Sequence, residues 1–176
     1  AFGRRVHRSL NPTAATAVGL ARAFAENSSF TVFEKLSRSF GVFREGRGGE
    51  AVTFDLLFDA QQALPEPGET ISLVRRYRPA HNIGRFRYVE CSGLDSEGAP
   101  AGDVSPLGEV FFPFDPSLQG VEPLLLSSSA VQRLSEPGPL VEERYTIDEM
   151  GIVQFEIKTA DGVFSLKQSF ASERVS

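Results

Sequence analysis

The sequence has few of the residues that build covalent or metal-bound frameworks. Its 176 residues include one cysteine, two histidines, one methionine and no tryptophan. The single Cys91 cannot form an internal disulfide, and so few histidine and cysteine side chains argue against the usual zinc ligand sets. Composition therefore disfavours a disulfide-stapled secreted domain and a zinc domain. The lack of a disulfide framework favours the reducing cytoplasm as the location.

Long apolar runs and a strong positive charge are also missing. No run approaches the roughly 18 apolar residues that a membrane-spanning helix needs, and no signal-peptide pattern is present. The net charge is −5, which argues against nonspecific binding to nucleic acid. We therefore expect neither a membrane nor a nucleic acid as a partner.

Catalytic and phosphate-binding patterns are equally scarce. No Ser-His-Asp or Cys-His arrangement stands out around His7, His81 or Cys91, although a nucleophile needs a base nearby. The glycines at positions 46, 48 and 49 do not lie between a strand and a helix, as a phosphate loop requires. We expect this chain to act without catalysis.

Short alternating runs, rich in phenylalanine, dominate what is present. The chain has 15 Phe, 16 Gly and 11 Pro, and apolar residues alternate with polar ones between Gly-, Pro- and Asp-containing turns. Predicted strands include the runs 40–44, 52–58, 71–77, 84–91, 110–114, 141–147, 152–159 and 163–170. This spacing predicts a mainly β chain that forms an antiparallel β-sandwich.

The N-terminal region predicts one α-helix over residues 11–25. Asn11 is a favourable N-cap and Pro12 a favourable first helical residue. Asn27-Ser28-Ser29 ends the helix and begins a linker. Because the chain opens on Ala1, we expect a piece of a longer protein. Residues 121–134 fit a short helix, a strand or a mobile insert.

The run from Tyr145 to Phe155 predicts a β-hairpin. Apolar alternation flanks a turn in which Gly151 can adopt a positive φ and Asp148 can accept backbone hydrogen bonds. The order Ile-Asp-x-x-Gly-Ile-Val, with an aromatic residue two positions before the first isoleucine, resembles a specific family. It is similar to the late hairpin of the peptide-binding domain of seventy-kilodalton heat-shock (DnaK-like) chaperones.

Weaker motifs resemble the same family in the same order and span most of residues 9–170. Asn11-Pro12, with small residues at 15, 17, 19 and 21, is similar to the helix that closes the family's ATPase domain. Three further motifs resemble parts of its sandwich: Ser39-Phe40-Gly41-Val42 the first strand, Ala63-Leu64-Pro65 the segment after the second strand pair, and Leu107-Gly108-x-Val110 the start of a later strand.

The resemblance implies a non-enzymatic module of a stress-response chaperone that binds unfolded or extended peptides. It implies that residues 1–26 are the last helix of an ATPase domain and residues 27–34 a linker. Residues 35–172 would then be the substrate-binding sandwich, with an insertion near residues 115–140. The family's ATP-binding residues lie upstream. We therefore expect no cofactor in this fragment, and ATP bound by an upstream ATPase domain of the parent protein.

The resemblance also implies a peptide site. Val42 matches the isoleucine that lines the family's apolar pocket, and Phe40 and Gly41 belong to the adjoining strand. Leu73 and Phe86 are further candidates. The alternative interpretation is that these side chains are ordinary core residues.

Several departures from the family favour a second hypothesis. The linker lacks the family's acidic, leucine-rich sequence, residues 115–140 are inserted, and no helical lid follows the last strand. They fit a structural or partner-binding sandwich that has lost general client binding. An open apolar groove beside Val42 would favour the first hypothesis, and a groove filled by residues 44–50 or 115–140 the second. Self-association through the pocket or the N-terminal helix is a further expectation.

Basic residues flank the turn predicted at residues 79–82. On paired strands they would form a positive patch for an acidic peptide or another anionic partner. The alternative is a solvated face that the acidic segment 142–149 neutralises. The five arginines are Arg75, Arg76, Arg78, Arg85 and Arg87.

Overall fold

A computed structural model describes residues 12–14, 16–18, 21 and 34–170. The chain divides into two units, residues 1–34 and residues 35–176, each described by itself. In the first unit Pro12–Ala14 form a 3-10 turn, and positions 16–18 and 21 are helical. The rest of the helix predicted over residues 11–25, and nearly all of the predicted linker, lie outside the described residues.

Within its described residues, 35–170, the second unit contains eight strands in two sheets of four. One sheet has the order β2-β1-β4-β5 and the other β3-β6-β7-β8, and all neighbouring strands are antiparallel. Buried side chains of both sheets form one core, which confirms the predicted antiparallel β-sandwich. The strands are β1 (Ser39–Gly46), β2 (Ala51–Phe58), β3 (Thr70–Tyr77), β4 (Ile83–Leu94), β5 (Pro100–Pro113), β6 (Val141–Asp148), β7 (Val153–Thr159) and β8 (Ser165–Phe170).

Aromatic side chains fill the space between the sheets. The ring of Tyr88 on β4 stacks on that of Phe155 on β7, with 4.6 Å between centroids, and Phe170 of β8 packs against both. These side chains are buried, and burying an aromatic or large aliphatic side chain stabilises a fold by about 1.5–3 kcal/mol. Seven of the sixteen buried core residues are phenylalanines, so the phenylalanine-rich runs of the sequence supply a large part of this core.

The hairpin between β6 and β7 forms as its sequence predicts. The Asp148 carboxylate accepts hydrogen bonds from the backbone N–H groups of Met150 and Ile152, at 3.0 and 2.9 Å. Gly151 adopts φ of 76°, a conformation that glycine reaches without a side-chain clash. This turn fixes the register in which Tyr145 pairs with Phe155.

Strand β2 turns a different face to the core than its apolar residues suggest. Its register against β1 shifts between Phe40 and Gly41, and beyond that shift Asp55 lies opposite the inward Val42. Phe54 instead packs on Phe43, on the outer face, and Val52 is 61% exposed. The predicted strand is therefore present, but its polar phase faces inward over this stretch.

The insertion after β5 combines a short helix with an extended stretch. Pro116–Leu118 form a 3-10 turn, and Pro123–Ser128 form the one α-helix that the structure bounds within the described residues. The prediction placed the helix at the N-terminus. Residues 130–134 contain no helix and form one isolated antiparallel bridge, between Arg133 and His81, and we call this stretch the insert strand. Of residues 119–140, only Leu126 is fully buried.

The five arginines do not form a single patch, contrary to the paired-strand prediction. Strands β3 and β4 belong to different sheets, so their side chains do not share a face. Ion pairs neutralise three of the five arginines. One of the acidic partners, Glu142, lies in the segment 142–149 that the alternative interpretation named. The pairs join Arg75 to Asp55, Arg76 to Glu142 and Arg85 to Glu109.

Acid stability should depend on Glu142, at the start of β6. The Arg76 guanidinium, 2.7 Å away, and then Lys158 and Arg144 lower the pKa of Glu142 from 4.5 to about 2. Its carboxylate therefore stabilises the fold above about pH 4.5, and this contribution is lost as the pH falls toward about 2. We expect Glu142→Gln to reduce the loss of thermal stability over that interval.

Melting temperatures across that pH interval test this expectation. Glu97→Gln, which changes an exposed glutamate in the turn between β4 and β5, is the matched control and should leave the pH profile unchanged. Identical acid profiles for Glu142→Gln and the unaltered protein would contradict it.

Candidate functional site

Two loops meet at one end of the sandwich, which we call the loop end. They are the β1–β2 turn (residues 46–50) and the β3–β4 loop (residues 78–82). The Glu45 carboxylate accepts a hydrogen bond from the Ala80 N–H at 2.9 Å and also contacts Nδ1 of His81. A Cβ atom on Gly49 would lie 2.5 Å from the His81 ring, so only glycine permits this approach. Glu45 thus ties the two loops together.

A cavity of about 330 Å³ opens beside this junction. Apolar side chains of Val52, Ile83 and Val131 line it, together with two acidic, two arginine and one histidine side chain. Known ligand sites begin at about 300 Å³ and combine apolar walls with a few polar groups. The cavity therefore has the size and lining to take one or two side chains of a bound peptide.

The insert strand lies along the β3–β4 loop and hydrogen-bonds to it as an added strand would. The N–H of Asn82 donates to the Gln132 carbonyl at 2.9 Å, and the N–H of Leu134 donates to the Ala80 carbonyl at 2.8 Å. His81 and Arg133 form the intervening antiparallel bridge. The loop end thus holds an extended segment mainly through backbone groups, which do not depend on side-chain identity.

The side chains predicted to line a peptide pocket lie elsewhere. Val42 is 0% exposed and Phe86 is 2% exposed, and both belong with Phe40 to the core between the sheets. Leu73 is half-buried against that core. Gly41 faces the outer side of its sheet, where a Cβ would lie 2.2 Å from the Phe54 ring. Four of the five are thus neighbours in one interior, and the cavity at the loop end is lined by other residues.

Charged side chains occupy the interior next to Val42. Arg44, two residues on and in the same phase of β1, donates from Nη1 to Glu143 at 2.8 Å and from Nη2 to Asp55 at 2.7 Å. Glu143 is 0% exposed and lies on the opposite sheet. Arg75 adds a two-point contact to Asp55, with both distances 3.1 Å. This charge cluster joins β1 and β2 to β3 and β6.

The charge cluster shifts the pKa of Arg44 and of the neighbouring Tyr145. Burial disfavours the charge of Arg44, but the carboxylates of Glu143 and Asp55 outweigh it and raise the pKa of Arg44 above its ordinary value. Burial, and then the charge of Glu143, raise the pKa of Tyr145. The Tyr145 hydroxyl therefore stays protonated and donates to Glu143 at 2.6 Å. The cluster is suited to holding the sheets together.

Metal binding and reactive-cysteine chemistry receive no support from the described part of the chain. No group of three or more His, Cys, Asp or Glu side chains there could hold a metal ion. Cys91 is buried, and desolvation raises the pKa of its thiol, which disfavours the reactive thiolate. None of the described helices is long and apolar enough to cross a bilayer.

The sequence analysis did not identify Glu143, which holds the charge cluster together, or Asn82, which binds the insert strand at the loop end. Glu143 occupies an inward position of the alternation Val141-x-Glu143-x-Tyr145, so its phase was a usable signal. Asn82 sits in the predicted turn, and nothing in its local sequence indicates the distant insert strand as its partner. The comparisons with known proteins add no family assignment: no protein-family model matches the chain, and no curated protein matches it.

Proposed function

We propose that residues 35–170 form a peptide-binding module of the DnaK-like kind, which holds extended segments at the loop end without catalysis. The observation that carries the proposal is the insert strand, which lies extended along the β3–β4 loop and bonds to it through main-chain groups. A loop that pairs with an extended segment of its own chain offers the donors and acceptors that extended peptides need.

The cavity beside the insert strand supplies a place for an apolar side chain of the peptide. Val52 and Ile83 form apolar walls, and the charged side chains around them stay near solvent. Main-chain pairing gives affinity for any extended segment, while such a pocket selects the side chain that enters it. The proposed ligands are therefore extended segments of unfolded proteins that carry an apolar residue.

The chaperone context is part of the same proposal. The hairpin at residues 145–155 and the motif at residues 39–42 support it through their resemblance to the family, and the sandwich is the fold class that this resemblance implies. We propose an upstream ATPase domain in the parent protein as the functional partner, with the cytoplasm as the site of action.

A second candidate function is a structural or partner-binding sandwich that has lost general client binding. The burial of Val42 and Phe86 favours it, because a side chain lining an open peptide pocket would be accessible. The pairing of Arg44 with Glu143 favours it too, since this contact fills the neighbouring interior with paired charge. The two candidates differ in whether an unfolded segment binds at all.

Fluorescence polarisation with a short, labelled, leucine-rich extended peptide separates these candidates. We expect saturable binding to the whole chain and at least tenfold weaker binding to Val52→Asp, because a carboxylate would enter an apolar wall. Val52 is mostly exposed, so the substitution should not impair folding. Val163→Asp is the matched control, since Val163 is a valine that is 72% exposed in the β7–β8 turn.

Two other results of the binding experiment would change the proposal. Equal affinities for the unaltered chain, Val52→Asp and Val163→Asp would remove the cavity from the proposal. The absence of saturable binding by a folded chain would favour the partner-binding sandwich.

A further inference from the structure

We infer that the insert strand, residues 130–134, is a built-in peptide ligand of the β3–β4 loop, and that a separate extended peptide takes its place when the insertion is released. The inference rests on the proposed function, because it names the ligand class and the regulation of that same end. In this arrangement the insertion keeps the site occupied until a competing peptide or a change in the insertion frees it.

Main-chain geometry is the first support. Within the insert strand, the N–H groups of Gln132 and Leu134 both point to the loop, where they donate to the Asn82 side chain at 2.7 Å and to the Ala80 carbonyl at 2.8 Å. In antiparallel pairing, alternate residues bond to the same neighbour. Arg133 lies between them, opposite His81. A peptide that replaces the insert strand needs only an extended backbone with free N–H groups at the positions equivalent to Gln132 and Leu134.

The side-chain amide of Asn82 hydrogen-bonds to such a backbone at two points. Asn82 is buried, and its Oδ1 accepts from the Gln132 N–H while its Nδ2 donates to the Ala130 carbonyl at 3.2 Å. Its own carbonyl accepts from the N–H groups of Phe114 and Asp115, at 2.8 and 3.0 Å. The side-chain amide and the backbone N–H of Asn82 therefore bind the insert strand, while its carbonyl anchors the loop to the end of β5.

The side chains of the insert strand hold it only weakly. Four of its five residues are exposed, and Leu134 is half-buried. By contrast, the eight core strands bury apolar side chains between the two sheets. Backbone hydrogen bonds that are open to water can be exchanged for bonds to water or to another peptide. The insert strand is therefore held mainly by hydrogen bonds, which a competing extended segment could also form.

The lining of the loop end indicates the partner's chemistry. Val131 contributes to the cavity that Val52 and Ile83 also line, so the incoming peptide should carry an apolar residue at that position. The cavity is also lined by Glu45, Glu50 and two arginines, so its charged groups are of both signs. The matching probe is the peptide Ser-Ala-Val-Gln-Arg-Leu-Ser, which copies residues 129–135.

Proline substitutions in the whole chain test the inference. Gln132→Pro removes an N–H that donates to the loop, whereas Arg133→Pro changes the residue between the two bonded positions. We expect Gln132→Pro to bind the labelled 129–135 peptide at least tenfold more tightly than the unaltered chain. Arg133→Pro should bind it as weakly as the unaltered chain. The same peptide with proline in place of its glutamine is the control ligand and should not bind.

The alternative results overturn the inference. It falls if folded Gln132→Pro gains no affinity over Arg133→Pro, or if the control ligand binds equally well. Should Gln132→Pro not fold, replacing residues 129–135 by a Gly/Ser segment of equal length must produce the same gain, and its failure to do so is equally decisive. If the leucine-rich peptide binds in a Val52-dependent way while no variant gains the 129–135 peptide, the inference is wrong and the proposed function stands. If neither peptide binds any variant, both fall.

Discussion

Replacing Arg44 with methionine is expected to lower the free energy of unfolding by about 3–5 kcal/mol, the usual cost of breaking a buried ion pair. Glu143 is completely buried, and Arg44 donates to it across the two sheets. Without the guanidinium, the Glu143 carboxylate would remain in the interior beside the Tyr145 hydroxyl with no positively charged group bonded to it. Urea unfolding followed by circular dichroism measures the loss.

Two variants separate this buried pair from an ordinary ion pair. Arg76→Met removes a guanidinium from a pair in which the arginine is largely exposed, and it should cost less than about 1 kcal/mol. The double variant Arg44→Met/Glu143→Gln should recover much of the stability, because the uncompensated charge is gone. An Arg44→Met loss no larger than that of Arg76→Met would contradict the assignment of a buried charge cluster.

Truncating Phe86 to alanine should cost about 3–5 kcal/mol, as for a phenylalanine in a packed core. Its ring lies 6.4 Å from that of Phe114 in an edge-to-face arrangement, and both side chains are buried. The same substitution would cost far less if Phe86 lined an open peptide pocket, since its ring would already contact water. Equilibrium unfolding in urea therefore tests which of the two interpretations of this residue holds.

Phe111→Ala is the matched control for this truncation. Phe111 lies on β5, opposite Arg85 of β4, and is half-buried under the Arg85 guanidinium on the outer face. Because only part of its ring is withdrawn from water, we expect at most about half of the Phe86 loss. A small loss for Phe86→Ala, matching that of Phe111→Ala, would restore Phe86 as an accessible pocket residue.

Strands and tight turns were predictable because their determinants are local. Between Tyr145 and Phe155 the alternation, the turn carboxylate of Asp148 and the φ of Gly151 all favour the same hairpin, and it forms in the expected place. The run 110–114 behaves similarly, with Val110 and Phe112 buried and the out-of-phase Phe111 on the outer face. In such segments the apolar–polar alternation and the turn residues favour the same structure, and the tertiary packing does not oppose it.

Strand β2 shows why the facing of a strand is harder to predict. Its apolar residues Val52 and Phe54 suggested the core face, yet Asp55 lies inward. The reason is distant in sequence, because Arg44 and Arg75 supply the charges that make an inward carboxylate acceptable. A register shift next to Gly41 then realigns the strand. Such non-local pairing leaves no trace in the alternation of β2 itself.

The candidate site was the least predictable feature for the same reason. Its main contacts join residues 80–82 to residues 130–134 through backbone groups, and backbone hydrogen bonds carry almost no sequence signal. The family resemblance predicted that Val42 lines a peptide pocket, whereas its side chain is buried beside Arg44. Residues 121–134, which the sequence allowed to be a short helix, a strand or a mobile insert, contain the segment that pairs with the β3–β4 loop.

The strand order also determines when each half of the sandwich can assemble. All four strands of the β2-β1-β4-β5 sheet precede residue 114, whereas β3 must wait for β6, which residues 78–140 separate from it. On a ribosome the first sheet can therefore close while the inward side chains of β3 still lack their partners. Until the C-terminal hairpins emerge, the nascent chain displays an unpaired apolar strand. In that interval the exposed side chains of β3 can contact other unfolded chains, so the module is most prone to aggregation before β6 is synthesised.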